Sequence, residues 1–223
     1  MGLATVSVRR SSTRSPDLTR RRRRDRAVED SQRRRPGRLI VVSGPSGVGK
    51  STVVSALHEL QPFFFSVSAT TRSRRPGEVD GVDYRFVTEH EFDDLRASGE
   101  LLEWAEYGGY RYGTPRTPVL AQLEMGNDVL LDIEVNGAMQ VKAAFPKAIT
   151  MFVAPPSMDT LEQRLRGRGD TDPDQVDVRL RIAGWQMTEA KDTFDHVVIN
   201  EEVEDTVAQI LRILAASPTR ADS

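Results

Sequence analysis

The chain has 223 residues, 38% hydrophobic and 29% charged, with no cysteine and a formal net charge of −2. That length fits one substantial domain, the missing cysteine removes disulfide frameworks, thiolate zinc sites, iron–sulfur clusters and cysteine nucleophiles, and no run approaches the roughly 18 apolar residues of a spanning helix. The charge is divided: residues 1–36 hold twelve Arg against four acids, a local +8, which leaves −10 on the remainder.

Residues 1–36 lack apolar periodicity and carry Arg runs at 20–24 and 33–35. Such a segment buries too little apolar surface to offset the entropy of ordering it, so it is expected to be a disordered Arg-rich extension. Three roles stay open for it: a dispensable extension or early start, an organellar-type transit segment, and electrostatic contact with nucleic acid or other polyanions.

Order is expected from Arg38. Leu39-Ile40-Val41-Val42, ended by Gly44, is a β-branched run suited to a strand buried on both faces. Residues 51–60 read as a helix closed by Pro62, 63–68 as a second strand, and 70–83 as a polar, Arg- and Gly-rich loop. A strand at 84–87 and a helix at 89–97 follow. Strands at 101–107 and 110–112 are joined by Gly108-Gly109 as a hairpin turn. A helix at 115–125 stops at Gly126. A buried strand at 128–134, a helix at 136–145 and a buried strand at 148–153 come next, then a helix at 157–166 with Ser157 as N-cap.

Asp172-Pro173 opens a long helix, Asp as cap and Pro at the first position. Its Val176, Leu180, Ala183, Met187, Ala190 and Phe194 step by four and three along one core-facing stripe. A strand at 196–200 and a helix at 203–215 close the chain. Alternating strands and helices imply a mostly parallel sheet covered on both faces; from 70 to about 118 the alternation breaks, which implies an inserted, partly antiparallel subdomain. His58, His90 and His196 lie far apart and are expected to be surface or core residues rather than metal ligands.

Gly44-Pro45-Ser46-Gly47-Val48-Gly49-Lys50-Ser51 fits G-x-x-x-x-G-K-[ST], with the buried strand before it and the helix after it that the motif requires. The glycines let successive N–H groups turn toward phosphate oxygens, and the helix N-terminus adds positive charge. Lys50 reaches the outer phosphates, the Ser51 hydroxyl is placed to ligate Mg²⁺, and Thr52 belongs to the same triphosphate site. Val129-Leu130-Leu131-Asp132-Ile133-Glu134 delivers acids to the C-terminal end of a core strand, where open α/β sheets bind ligands. Asp132 is there either to hold magnesium or its waters, or to cap the next helix.

The segment Ser66-Val67-Ser68-Ala69-Thr70-Thr71-Arg72-Ser73-Arg74-Arg75-Pro76-Gly77-Glu78 narrows the acceptor. With Gly81-Val82-Asp83-Tyr84-Arg85-Phe86, Glu103-Trp104-Ala105, Tyr110-Arg111-Tyr112-Gly113-Thr114, the arginines of 164–168 and Ile199-Asn200, the chain resembles guanylate kinase over about residues 38–215. That P-loop kinase family moves the γ-phosphoryl of ATP to GMP. The resemblance implies an α/β, P-loop NTPase three-layer fold with a mostly parallel sheet, an inserted α+β GMP-binding subdomain and a helical lid. The expected boundaries are a domain over 37–218, with core segments 37–68, 119–164 and 191–218, the GMP-binding subdomain 69–118, and the lid 165–190. Residues 219–223 are expected to be a flexible tail.

Physical chemistry agrees with the roles the resemblance implies. Arg72 and Arg75 can give bidentate, charged hydrogen bonds to a monophosphate, and Tyr84 and Tyr112 can add hydroxyl donors; the bland alternative is a solvated Arg-rich loop. Guanine presents N1–H and N2–H₂ side by side. The resemblance implies that Glu103 accepts both, with Ser68 and Thr114 on the remaining base edge, and Asp132 is grouped with this site as well. Adenine lacks that donor pair, and a site whose polar groups are left unpaired discriminates strongly. The alternative for Glu103 is one polar residue on an alternating strand; Trp104 is read as packing.

Phosphoryl transfer needs positioning and charge neutralisation more than covalent chemistry. Arg164 and Arg168 are four apart and share one helix face; with Arg179 they match the family's lid arginines, which implies that they bind the triphosphate and neutralise the moving phosphoryl. Asn200 matches a position near the adenine, or else ends a strand. No general base is expected, because a phosphate acceptor is already ionised. Glu134-Val135-Asn136-Gly137 departs from the Asp-x-Gln-Gly more usual in the family.

The expected activity is Mg-ATP-dependent phosphorylation of GMP and dGMP, by in-line transfer without a covalent intermediate, in purine nucleotide metabolism. The competing readings are a non-catalytic binding module, against which Gly49, Lys50 and Ser51 argue, and a kinase for another acceptor, against which Ser68, Glu103 and Thr114 argue. Mg²⁺, ATP and GMP or dGMP are the expected small-molecule partners. The location is expected to be cytoplasmic, with no membrane partner, no nucleic acid beyond a weak polyanion contact by the tail, and an oligomer left open.

Overall fold

A computed structural model describes residues 36–167 and 173–217. The expected Arg-rich extension, the Asp172 cap and the C-terminal tail at 219–223 fall outside the described residues. No helix among them is long and apolar enough to cross a membrane.

The chain runs β1 (Leu39–Ser43), α1 (Lys50–Leu60), β2 (Phe64–Phe65), β3 (Ala69–Thr70), β4 (Arg85–Phe86), α2 (Glu89–Ala97), β5 (Leu101–Tyr107) and β6 (Tyr110–Pro115). It continues α3 (Arg116–Glu124), β7 (Val129–Asp132), α4 (Val135–Ala144), β8 (Ile149–Ala154), α5 (Met158–Gly167), α6 (Pro173–Thr193), β9 (His196–Ile199) and α7 (Val203–Ala216). Five strands form a fully parallel sheet in the order β2-β7-β1-β8-β9. A second sheet, in the order β4-β3-β6-β5, mixes parallel and antiparallel pairs. The fold is therefore α/β with an inserted smaller sheet, as the alternation implied.

β1 shows why the main sheet has helices on both faces. Leu39 and Val41 pack into one cluster with Val119 of α3, Val135, Ala138 and Val141 of α4, and Ala190 of α6. Ile40 and Val42 face the other way, onto Val53 and Leu57 of α1 and Val207, Ile210 and Leu214 of α7. Side chains alternate across a strand, so a run apolar at every position needs cover on both sides. Burying each such side chain contributes about 1.5–3 kcal/mol.

The stripe predicted on α6 is shared between two clusters. Val176, Leu180 and Ala183 pack with Leu161 and Leu165 of α5, while Met187, Ala190 and Phe194 belong to the main core. One helix thus joins an outlying helix pair to the sheet. Ser157 accepts a hydrogen bond from Thr160 N at 3.1 Å, the expected cap of α5.

Three expectations change, the simplest being that β6 runs on to Pro115 where the expected strand ended at 112. The strand expected at 63–68 is two strands in different sheets: β2 pairs with β7, β3 pairs with β4 and β6, and residues 66–68 cross between them. The loop expected at 70–83 accordingly starts one residue late, because Thr70 is in β3. The inserted sheet is fastened by local chemistry. Thr88 and Glu91 form a reciprocal capping box at the start of α2. Arg111 of β6 reaches back to Glu89 and Asp93 of that helix.

Candidate active site

The loop between β1 and α1 lies at the C-terminal edge of the parallel sheet, beside the end of β7. Gly49 is the N-cap of α1 with φ 95°, in the left-handed region that favours glycine. A Cβ there would also sit 2.6 Å from Asn200 Nδ2. Ser51 and Thr52 stand exposed in the first turn of α1, and Lys50 pairs with Asp132 at the end of β7.

Asn200 does something sequence reasoning missed. Only 3% exposed, it donates to Val48 O at 2.8 Å and accepts from Thr206 Oγ1 at 2.9 Å. Its amide fastens the phosphate loop to α7. Replacing Asn200 with Ala removes both bonds, while Val48 O keeps Arg164 and the Thr206 hydroxyl keeps the Glu202 carbonyl, so thermal or denaturant unfolding should show the net worth of two hydrogen bonds, a loss of about 1–3 kcal/mol.

Arg164 of α5 joins the same seam, donating to Val48 O at 3.0 Å and Asn200 O at 3.1 Å. Arg179 of α6 reaches Ser46 Oγ at 3.4 Å. Two of the three predicted lid arginines therefore meet the phosphate loop; Arg168 lies outside the described residues.

A second cluster forms where β3, β4 and β6 adjoin. Arg72, 8% exposed, stacks its guanidinium 5.4 Å from the Tyr84 ring centre and 5.8 Å from that of Phe86. Tyr84 and Tyr112 lie edge to face at 6.0 Å. Glu78, to which the sequence assigned no role, accepts from Arg72 at 2.7 and 3.1 Å and from Arg75 N at 2.7 Å. That pairing holds the Glu78 carboxyl below its usual range and the Arg72 guanidinium above its own. Arg75 joins this cluster through its backbone, with its side chain exposed. Burial raises the Tyr84 hydroxyl, and the nearby Tyr112 and Asp132 add to the shift, while Arg72 and Lys50 oppose it.

The third cluster is built on β5. A bulge between Leu101 and Glu103 breaks the strict alternation, so Leu101 and Trp104 pack with Phe92 while Leu102 enters the main core. Glu103 is left against Thr114, which donates through Oγ1 to Glu103 Oε1 at 2.6 Å. Glu103 is 5% exposed and Thr114 fully buried. Burial lifts the Glu103 carboxyl to about 7; hydrogen bonds from Thr114 oppose the shift and the charge of Glu134 adds to it. Glu134, N-cap of α4, is itself raised by burial, with Lys50 opposing and Asp132 reinforcing. Ser68 is half-buried in the crossing between the sheets, and its carbonyl accepts from Arg85 N at 2.9 Å.

Three groups therefore stand together: a phosphate loop with Lys50, Asp132 and arginines; an Arg–Tyr cluster; and a buried carboxylate. Comparison with known proteins points the same way. The family model described as Guanylate kinase matches residues 36–217. A guanylate kinase of Thermobifida fusca (strain YX) is 50% identical over 186 residues, covering 83% of this chain and 94% of that protein. One from Thermus thermophilus is 49% identical over 185 residues, covering 83% and 84%. The crystal structure of guanylate kinase from Anaplasma phagocytophilum superposes with a TM-score of 0.69 at 33% identity, covering 84% of this chain and 89% of that one.

Proposed function

The chain belongs to the guanylate kinase family and is an ATP:GMP phosphotransferase, and on that premise we propose how its residues divide the reaction. The loop 44–51 with Thr52 takes the triphosphate, its N–H groups and the first turn of α1 facing the phosphate oxygens. Asn200 holds that loop in shape. Arg72, Arg75, Tyr84 and Tyr112 take the phosphate of GMP or dGMP. Glu103 accepts from guanine N1–H and N2–H₂, with Ser68 and Thr114 beside it.

An oxygen of the GMP phosphate attacks the γ-phosphorus in line, the bond to the β–γ bridging oxygen breaks, and ADP leaves. Lys50, Arg164, Arg168 and Arg179 neutralise the charge that builds on the moving group. The acceptor oxygen is ionised before it attacks, so no side chain need remove a proton. Closure of the lid, residues 165–190, keeps water from competing as acceptor.

Magnesium suits the donors present. Ser51 offers a hydroxyl and Asp132 an exposed carboxylate, hard oxygen ligands of the kind Mg²⁺ takes alongside substrate phosphates and water. Bound there, magnesium would screen the phosphate charges. A cytoplasmic setting in purine nucleotide metabolism fits these substrates.

The observation that carries the acceptor assignment is Glu103, a buried carboxylate whose hydrogen-bond donors among the described residues come from Thr114 alone. A coupled assay of ADP release from Mg-ATP, offering GMP, dGMP, AMP, CMP and UMP in turn, tests it. Turnover confined to GMP and dGMP is expected, from the full chain and from a chain starting at Gly37. Comparable rates with AMP would overturn the role given to Glu103.

A further inference from the structure

Gly137 occupies the third position of α4, in its first turn. Its φ is not positive, so the backbone there would accept any L-residue. Glycine is also the poorest helix former after proline. Neither local conformation nor helix propensity explains it.

Space does. A Cβ built on Gly137 would overlap Glu103 Oε2 and come within 3.0 Å of Cδ and 3.5 Å of Cγ of the same side chain. The three nearest atoms in the way all belong to Glu103. The opposite oxygen, Oε1, is held by Thr114. Strand and helix are also clamped together one residue along. Gln140 of α4 accepts from Trp104 N at 3.2 Å and donates to Trp104 O at 2.6 Å. The helix cannot drift away from β5 to make room, so the carboxylate is confined between the Thr114 hydroxyl and the bare face of Gly137.

We propose that Gly137 is a specificity-determining positioning residue: its missing side chain is the seat that aims the Glu103 carboxylate, and so it sets the choice of guanine over adenine. The inference rests on the reading that Glu103 accepts from the guanine edge. A methyl group on Gly137 displaces the far end of a flexible side chain rather than backbone. The fold therefore accommodates the change easily, while the carboxylate loses its alignment with Thr114 and with the base.

The test compares Gly137→Ala, Glu103→Gln, Glu103→Ala and the double variant Glu103→Ala/Gly137→Ala. It measures KM for GMP and for ATP, the GMP:AMP ratio of kcat/KM, and Tm. Misaligning a charged hydrogen-bond acceptor is expected to raise the KM for GMP about 10- to 100-fold and to lower the GMP:AMP ratio to match. KM for ATP should not change. In the Glu103→Ala background the added Gly137→Ala should leave GMP kinetics unaltered and raise Tm, because alanine then fits the helix and improves it. Wild-type KM and selectivity in Gly137→Ala, or an equal loss with and without Glu103, overturns the seat. If Glu103→Gln is impaired while Gly137→Ala is not, the seat fails and the reading of Glu103 stands. If Glu103→Gln keeps full GMP selectivity, that reading fails and takes the seat with it.

Discussion

Replacing Lys50 with Ala is expected to lower kcat about 10²- to 10³-fold while KM for GMP stays near its starting value. The split follows from where Lys50 sits. Its ammonium lies at the mouth of the phosphate loop, paired with Asp132 of β7. The Arg72–Tyr84–Tyr112 cluster and the Glu103 pocket are assembled by other elements. Removing the cation deletes charge compensation that grows as the phosphoryl group moves, and leaves the acceptor contacts standing.

Folding should hardly notice the change. Asp132 is exposed, and partly exposed ion pairs contribute about 0–1 kcal/mol. The Glu134 carboxyl, which Lys50 pulls downward, should rise further once the cation is gone. Steady-state kinetics, calorimetric GMP binding and a melting curve on one preparation check all three statements. A kcat within about twofold of the parent would remove Lys50 from the transition state, since such a donor is worth far more than that.

These assignments were unevenly legible in the sequence. The phosphate loop, β1, α1 and the alternating core were readable because each signal is local: glycine spacing, an apolar run, a period of 3.6. α2 was placed to the residue, and the structure shows that its start is fixed locally, by Thr88 as N-cap and Glu91 in the first turn. Residues 63–68 misled because nothing between Phe65 and Ala69 marks a break. Which sheet each half joins is decided by β7 and β6, far along the chain. The roles of Asn200 and Glu78 were hidden for the same reason. An amide that supports a loop 152 residues away, or a carboxylate that grips an arginine six residues back, looks in sequence like any other polar residue. Glu103 was found by resemblance, whereas what acts on it is its burial, then the hydrogen bonds of Thr114 and the charge of Glu134, in a space left by Gly137, none of which a spacing rule connects to it.

Those forces set the second large effect, which couples stability to specificity through pH. Burial holds the Glu103 carboxyl at about 7 against an ordinary 4.5, with the Glu134 charge adding to the shift and Thr114 opposing it. As pH rises through 4.5 the unfolded chain gives up this proton while the folded chain keeps it. Stability therefore declines between about 4.5 and 7 and levels off above, by roughly 3 kcal/mol in all. Guanine needs the ionised form, because its N1–H and N2–H₂ both require acceptors. GMP affinity should accordingly fall about tenfold for each pH unit below 7.

Glu103→Gln separates these effects from the titration of the GMP phosphate, which the substitution leaves intact. The variant should be more stable than the parent at pH 8 and equal to it near pH 4.5, with a raised KM for GMP and a shallower pH dependence. Its selectivity against AMP should fall, since an amide can both donate to adenine N1 and accept from its amino group. Parallel pH profiles of KM for the two proteins, or a Gln variant no more stable than the parent at pH 8, would mean that the carboxylate carries neither the strain nor the specificity. The expected result makes Glu103 a group that weakens the folded state at the pH where it works, because a carboxylate free to accept from guanine cannot also be neutralised by a partner of its own.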